Sequence, residues 1–429
     1  MTHDSTRLAR LSMAAIISMA AFTGVAFAQQ ADPLPADVPG QAPAAKVVAG
    51  QDGFAIESGN GDYRLQIGLL LQADGRFELD DVDHTFIDTF TMRRLRPFLR
   101  GRILRRFEFY LNPDFAGGNF VLQDAYFDTI LSTALRIRAG KGKEPLGMER
   151  LYSASNLFFM ERAYPTAVAP NRDLGIQVLG DIHGGVVSYI GGVMNGVADG
   201  ASGDQDTNDA KDLIGRLVVR PFNGQKTSPL HGLGLAASGS TGVEQGSAQL
   251  PTYKTTTLQQ TFFSYATGAV ASGRRNRYSP QVFYFHGPFG GLFEYVHSRL
   301  PVSLNGTIAE IAAEGWQVAA SWVFTGEAAT DAAAGIRPRA IFDPETGHWG
   351  AFQIVARVQG LEVDQSALDL GLATPGSSRK AQAWTVGLNW VLTGNVKYVL
   401  NFERTIFDGN RAGARQPENA LAFRTQLYF

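Results

Sequence analysis

An all-β fold, a transmembrane barrel of sixteen antiparallel strands with inward-folded loops, is the architecture expected of this chain of 429 residues. The C-terminus points to it first. Leu421, Phe423, Thr425, Leu427 and Phe429 alternate strictly with Ala422, Arg424, Gln426 and Tyr428. Successive side chains of a strand face opposite ways, so this pattern suits a sheet with lipid outside and water inside. The N-terminus agrees. Arg7 and Arg10 precede an apolar stretch from Leu11 to Val25, and Ala26-Phe27-Ala28 puts small residues at both positions that a signal peptidase reads. Residues 1–28 are therefore expected to be a signal peptide, with Gln29 opening the mature chain. Elsewhere no segment offers the roughly 20 unbroken apolar residues that a spanning helix needs, whereas 48 Gly, 28 Phe and 13 Tyr suit many short strands with Gly-rich turns. The expected location is the outer membrane of a Gram-negative bacterium, with its lipid and, through the terminal aromatic Phe429, the barrel-assembly machinery as partners.

Composition narrows the chemistry. Cysteine is absent, so disulfides and thiolate metal sites are excluded, and a formal net charge of -2 argues against a nucleic-acid partner.

Residues 29–60, rich in Pro, Ala and Gly, read as a flexible periplasmic segment, and residues 61–429 as the barrel. Alternation places strands near 62–77, 90–104, 106–115, 120–129, 134–143, 173–183, 185–195, 212–222, 230–241, 277–286, 289–299, 314–326, 349–361, 381–392, 396–407 and 420–429. In the hairpin near the end, Trp384 and Trp390 share an outward face, as interfacial aromatic girdles require and the core of a soluble β-sandwich does not. A bacterial barrel needs an even count with both ends periplasmic. The count closes only if Thr261 to Tyr265, itself strand-like, belongs to a loop. Short turns at His183-Gly184, His286 to Gly290 and Thr393 to Asn395 then fall on the periplasmic side. Three connections, 144–172, 242–276 and 327–348, are longer than a turn requires, and all three are expected to fold inward and set a constriction. Parity puts the third on the periplasmic side.

Several segments resemble one family. Lys143-Glu144-Pro145-Leu146-Gly147, Phe159-Met160-Glu161-Arg162 and Ala169-Pro170-Asn171-Arg172-Asp173-Leu174-Gly175 are similar to the strand-to-loop block of the phosphate-selective porin O and P family. Gly273-Arg274-Arg275-Asn276-Arg277-Tyr278-Ser279-Pro280, His286-Gly287-Pro288-Phe289-Gly290 and Trp322-Val323-Phe324-Thr325-Gly326-Glu327 resemble it too. So do Gly387-Leu388-Asn389-Trp390, Phe407-Asp408-Gly409 and Pro417-Glu418-Asn419-Ala420. The resemblance implies a trimeric sixteen-stranded channel whose lumenal arginines and lysines pass small anions along, with no cofactor, no metal and no catalysis.

The residues carry their own version of that pattern. Arg94, Arg96, Arg100 and Arg102 share one strand face, opposite Leu95, Pro97, Leu99 and Ile103. An Arg on the lipid face at mid-membrane costs about 2–4 kcal/mol, so four in a row must line water. Arg136 and Arg138, Arg216 and Arg220, and Arg357 alternate likewise against apolar neighbours. The long connections add Lys141, Lys143, Arg150, Arg162 and Arg172 around the first, Lys254, Arg274, Arg275 and Arg277 around the second, and Arg337 and Arg339 in the third. A guanidinium fork matches two oxygens of phosphate or carboxylate, and several weak sites in series permit both binding and release. The structural alternative pairs these arginines with Asp74, Glu108, Asp114, Asp124 and Asp128 across the wall. No dense lysine pair singles out phosphate. A weakly selective porin for small nutrients, an outer-membrane enzyme and a scaffold barrel stay open as alternatives.

Two motifs carry nothing. Asp204-x-Asp206-x-Asn208 has Asp209 and Gly215 where a calcium loop needs Gly and Glu. Gly232-x-Gly234-x-x-Ala237 lies in an alternating strand with no helix behind it.

Overall fold

A computed structural model describes residues 44–50, 53–82, 86–206, 208–331, 335–410, 413 and 415–429. The expected signal peptide and residues 29–43 lie outside the described residues. The barrel strands are β3 (Arg64–Leu79), β4 (Thr89–Ile103), β5 (Phe107–Asp114), β6 (Val121–Ser132), β7 (Leu135–Lys143), β8 (Arg172–Ile182), β9 (Val187–Met194), β10 (Asp212–Val219), β11 (Leu233–Gly246), β14 (Val270–His286), β15 (Phe289–Leu304), β16 (Thr307–Val323), β17 (Ala351–Val363), β18 (Lys380–Val391), β19 (Val396–Asp408) and β20 (Glu418–Tyr428). Each pairs antiparallel with its neighbours, and β20 returns to β3 from Asn419 opposite Leu79 to Tyr428 opposite Leu70, closing a sixteen-stranded barrel. Closure leaves no barrel strand with an open edge, the condition for crossing lipid without exposed backbone donors and acceptors. Thr261 to Phe263 forms β13, which pairs only with β12 (Tyr253–Lys254) in a separate two-stranded sheet, so this stretch belongs to a loop as expected.

The segment expected to be flexible over 29–60 needs a correction. β1 (Lys46–Gly50) and β2 (Gly53–Glu57) form a hairpin, and β2 pairs with Arg64 to Ile67 of β3, extending the seam where β20 has ended. Alternation explains why: Phe54 and Ile56 continue the apolar outer face of Leu65 and Ile67, while Glu57 accepts from Arg64 on the opposite face.

Outside, Phe289, Trp322, Phe324, Phe352 and Trp390 form a continuous aromatic belt along β15–β18, stacked except for the edge-on contact of Trp322 with Phe324. Rings with an apolar body suit the edge of a bilayer. Inside, the lumen is filled on one side. The inward faces of β15–β17 carry Val296, Leu300, Val302, Ile311, Ala313, Leu361 and Val363, all buried under Leu146, Tyr164 and Val168 of the first long connection and Phe262 and Phe263 of the second. The loops therefore pack on one wall, and open space remains along β4 to β8.

The third connection divides. Ala329 and Ile336 are buried against Val323, Ala351 and Val391, and Asn156 of the first connection donates to the carbonyl of Thr330, so this half reaches inward. Past it, the ring of Phe342 lies 5.7 Å from Trp349 and 5.5 Å from Trp390. Trp390 belongs to the lipid-side belt, so residues 340–349 return along the outer wall. The expectation that the whole segment folds inward holds only for its first half, because the ring contacts of Phe342 and Trp349 with Trp390 draw the second half out of the mouth.

Candidate functional site: the lumenal constriction

The first long connection is held across the lumen by buried polar side chains from many strands. Glu294 of β15 accepts from the backbone N–H of Met148 at 2.6 Å, Asn401 of β19 accepts from Met160 at 2.8 Å, and Gln359 of β17 accepts from Tyr164 at 3.0 Å. Asn389 donates to the carbonyl of Phe158 and Arg357 to that of Glu161. Gly147 turns at φ +79, a conformation that strains any side-chain-bearing residue, and a Cβ there would push the Glu294 carboxylate, 2.6 Å away, off its bonds to the loop. Buried backbone groups need partners, and here the barrel wall supplies them.

Glu161 sits at the centre of this loop's charge. Its carboxylate accepts from Arg93 at 2.5 Å, Arg76 at 2.7 Å, Arg424 at 3.3 Å and Arg94 at 3.5 Å. Asp74 also takes Arg424 through two bonds and Arg76 through one. Four guanidiniums thus share two carboxylates. Burial alone would raise the pKa of Glu161, but Arg93, Arg94, Arg76 and Arg424 outweigh it and hold the group well below the usual carboxylate range.

Two cavities flank the loop. One of about 490 Å³ is lined by Arg93, Arg94, Arg150 and Lys254. The other, about 320 Å³, is lined by Arg100, Arg138, Lys143, Tyr110 and Tyr126. Arg96, Arg162 and Arg172 line both, so they stand at the neck between them. Arg96 binds Asp114 at 2.7 Å, and Arg172 grips Asp124 through two bonds of 3.0 and 3.2 Å. Arg162 and Lys143 have a different kind of partner. Arg162 donates to the carbonyls of Glu149 and Tyr152, and Lys143 to those of Leu151 and Tyr152. Carbonyl acceptors fix a cation in place without cancelling its charge. Burial pulls the Arg162 guanidinium down to about 10; Glu149 opposes this, Arg172 and Arg96 add to it, and the group stays charged at neutral pH.

The other arginines expected to line the pore are distributed as follows. Arg102 meets Glu57, Arg136 meets Glu108 and Asp128, and Arg138 meets Asp128, a ladder of the kind the structural alternative described. Arg216 bonds Gln281, Arg220 approaches Asp331 of the third connection, and Arg357 lies against Glu403 and over the ring of Phe159. Arg275 and Arg277 are buried with Asp199, Asp212 and Glu244 and line neither cavity.

Four placements correct the sequence expectation. Lys141 lines neither cavity; it shares a strand face with Ala139 and Ile137 and is buried against Asp204. Arg274 is exposed and bonds Thr241, because β14 begins at Val270 rather than near 277, and consecutive residues of a strand face opposite ways. Arg337 and Arg339 are exposed in the third connection, where Arg339 bonds the carbonyl of Gly326.

Arg76, Arg93 and Arg424 join the site without standing among the expected pore-lining arginines. Arg424 and Arg76 follow simple alternation. Arg93 faces inward through a bulge, since Gln72 pairs with Arg94 and Ala73 with Met92, leaving Arg93 extra. Two adjacent charges within a lipid-facing strand are the signal that reveals such a bulge. Among the described residues no acidic or histidine cluster is disposed to hold a metal ion.

A closed barrel, apolar outside, with a loop pinned across an arginine-lined lumen defines an outer-membrane pore protein. Residues 65–429 match the family described as phosphate-selective porin O and P, and the chain belongs to that family. It is a bacterial outer-membrane protein and a channel rather than an enzyme. No curated protein matches it. Among solved structures it is similar to the outer membrane channel DcaP of Acinetobacter baumannii, at 11% identity and a TM-score of 0.54 over 87% of this chain and 99% of that one. It is also similar to the anion-selective porin from Comamonas acidovorans, at 12% identity and TM-score 0.53 over 86% of this chain and 100% of that one. The trimer form of OmpT of Vibrio cholerae follows at 10% identity and TM-score 0.52, over 86% and 99%. These likenesses are of fold.

Proposed function

We propose that the protein is a passive diffusion channel for small anions, acting as a homotrimer and exported with residues 1–28 as its signal peptide. The observation that carries this is the neck, where Arg162 keeps its charge because only carbonyls hold it, with Lys143 held by carbonyls beside it. Arg96 and Arg172 beside them are each matched by one carboxylate. An anion passing the neck meets guanidinium forks that recognise its oxygens, and partial cancellation by Asp114 and Asp124 keeps each station weak enough to release it. The name of the Comamonas porin, anion-selective, accords with this reading, and the trimer form of OmpT accords with three copies.

Reversal potentials across planar bilayers in a potassium chloride gradient test it. Chloride should pass in preference to potassium, and Arg162→Gln with Lys143→Gln should reduce that preference severalfold. Equal permeability in the unmodified protein would leave a weakly selective porin, the reading favoured by the number of lumenal arginines already paired.

A further inference from the structure

The smaller cavity is unlike a plain anion path, because aromatic rings form part of its wall. Phe98, Tyr110, Tyr126 and Tyr428 all line it. Their rings form a continuous row: Tyr428 lies 6.1 Å from Phe98, Phe98 5.9 Å from Tyr110, and Tyr110 5.6 Å from Tyr126. Over this row lie cations, with the Arg138 guanidinium 3.8 Å from the Tyr126 ring centre and that of Arg100 5.3 Å from the Tyr110 ring centre. The face of an aromatic ring carries negative potential and repels a bare anion. A row of rings in an anion path therefore works against a hydrated inorganic ion unless something planar and partly apolar is the passenger.

Packing explains one ring and not the next two. Phe98 fills the notch over Gly68, where a Cβ would come within 2.0 Å of the ring. Tyr110 covers no such notch, and Tyr126 makes only an ordinary contact at Gly142, 3.5 Å from a Cβ placed there. Both are partly exposed to the cavity, and their hydroxyls bond no described residue. The charges around them are unbalanced. Asp124 is spent on Arg172 and Asn112, whereas Lys143 and Arg162 are held by carbonyls and Arg100 has no carboxylate partner among the described residues.

We infer that this cavity is a binding station for flat organic anions, aromatic carboxylates above all. The carboxylate would rest on Lys143 and Arg100, and the ring would lie against Tyr110, Tyr126 and the guanidinium planes stacked on them, since Arg stacks on π systems as well as donating to oxygens. The inference rests on the anion-channel reading and narrows its substrate class.

The test is block of chloride current through single channels by benzoate, acetate and phosphate, each added at the same concentration and pH. Benzoate should bind about three- to tenfold more tightly than acetate, the range one added aromatic contact supplies. Tyr110→Leu and Tyr126→Leu, read separately, should each bring the benzoate-to-acetate ratio toward one. A ratio is used because the substitutions also alter the open pore. If benzoate and acetate are equal on the unmodified channel, or the ratio survives both substitutions, the rings are wall packing and the inference falls. Should one variant fail to insert, the other and the unmodified channel still decide. Reversal potentials distinguish that failure from failure of the anion reading, since a channel can prefer chloride without preferring rings.

Discussion

Glu161 is the residue on which the constriction loop's electrostatics converge, one carboxylate facing Arg76, Arg93, Arg94 and Arg424. Removing one partner of a buried ion cluster costs about 3–5 kcal/mol, because the charges left behind are unpaired. Glu161→Gln should therefore loosen the loop. The expected signs are unstable, larger current steps and a lower temperature for loss of the folded band on an unheated gel; unchanged steps would mean that the bonds of Asn401, Gln359 and Arg357 to the loop backbone hold it without Glu161. The pH dependence follows in sign. A carboxyl whose folded pKa is depressed contributes stability fully above its unfolded value, about 4.3 for Glu, and loses it as pH falls through the lower folded value. Step size should hold down to about pH 4 and change only below. Much of this was legible in the sequence. Alternation against lipid marks Arg94 and Arg96, and their place in an over-long connection marks Arg162 and Arg172. The convergence on Glu161 was not legible, because it depends on which strands lie across the lumen and on a bulge that places Arg93 and Arg94 on the same carboxylate.

Elements were legible where the apolar face of the alternation points outward to lipid and illegible where it points inward. All sixteen crossings fall where the sequence put them, yet β14 to β16 run well past the expected ends, to Val270, Leu304 and Thr307. There the usual order of faces is lost: Leu300, Val302, Ile311 and Ala313 are buried inward under the loops while Arg274, Arg299 and Glu310 are exposed outward, so the apolar-out, polar-in signal of a crossing is missing. The third connection shows the same limit. Its length called for a reason, and it has two: Ile336 and Thr330 serve the lumen, and Phe342 serves the outer belt. The halves should separate experimentally. Replacing residues 328–336 by a short Gly-Ser linker should change single-channel conductance, because it removes the carbonyl that takes Asn156. Phe342→Ala should leave conductance alone and lower thermal stability by about 1–2 kcal/mol, less than a fully buried Phe loses because the site is interfacial. A conductance change in Phe342→Ala would show that the outer half also reaches the pore.

At the scale of the whole molecule the seam between β20 and β3 decides what the N-terminal hairpin is for. β20 pairs with β3 from Leu79 down to Leu70, and Phe429 continues the ladder by exchanging two bonds with Leu69. β2 takes over from Ile67 to Arg64. The barrel is therefore closed before the hairpin begins, and the hairpin prolongs the wall. Its ties are modest: the Phe54 ring lies edge-on to Phe429 at 5.8 Å, a contact of about 0.5–1.5 kcal/mol, and Glu57 makes partly exposed ion pairs with Arg64 and Arg102, each contributing at most about 1 kcal/mol. They do cover the terminal aromatic, however, and shield the last ladder bonds of the seam. Deleting residues 44–57 should leave the size of the current steps and the anion preference unchanged, since neither cavity is lined by this segment. The same deletion should lower the temperature at which the folded band disappears on an unheated gel by several degrees, because the seam is then the barrel's least protected edge. Loss of folded protein altogether would show instead that the hairpin is needed to bring β3 and β20 together, and that closure runs from the N-terminus rather than from Phe429.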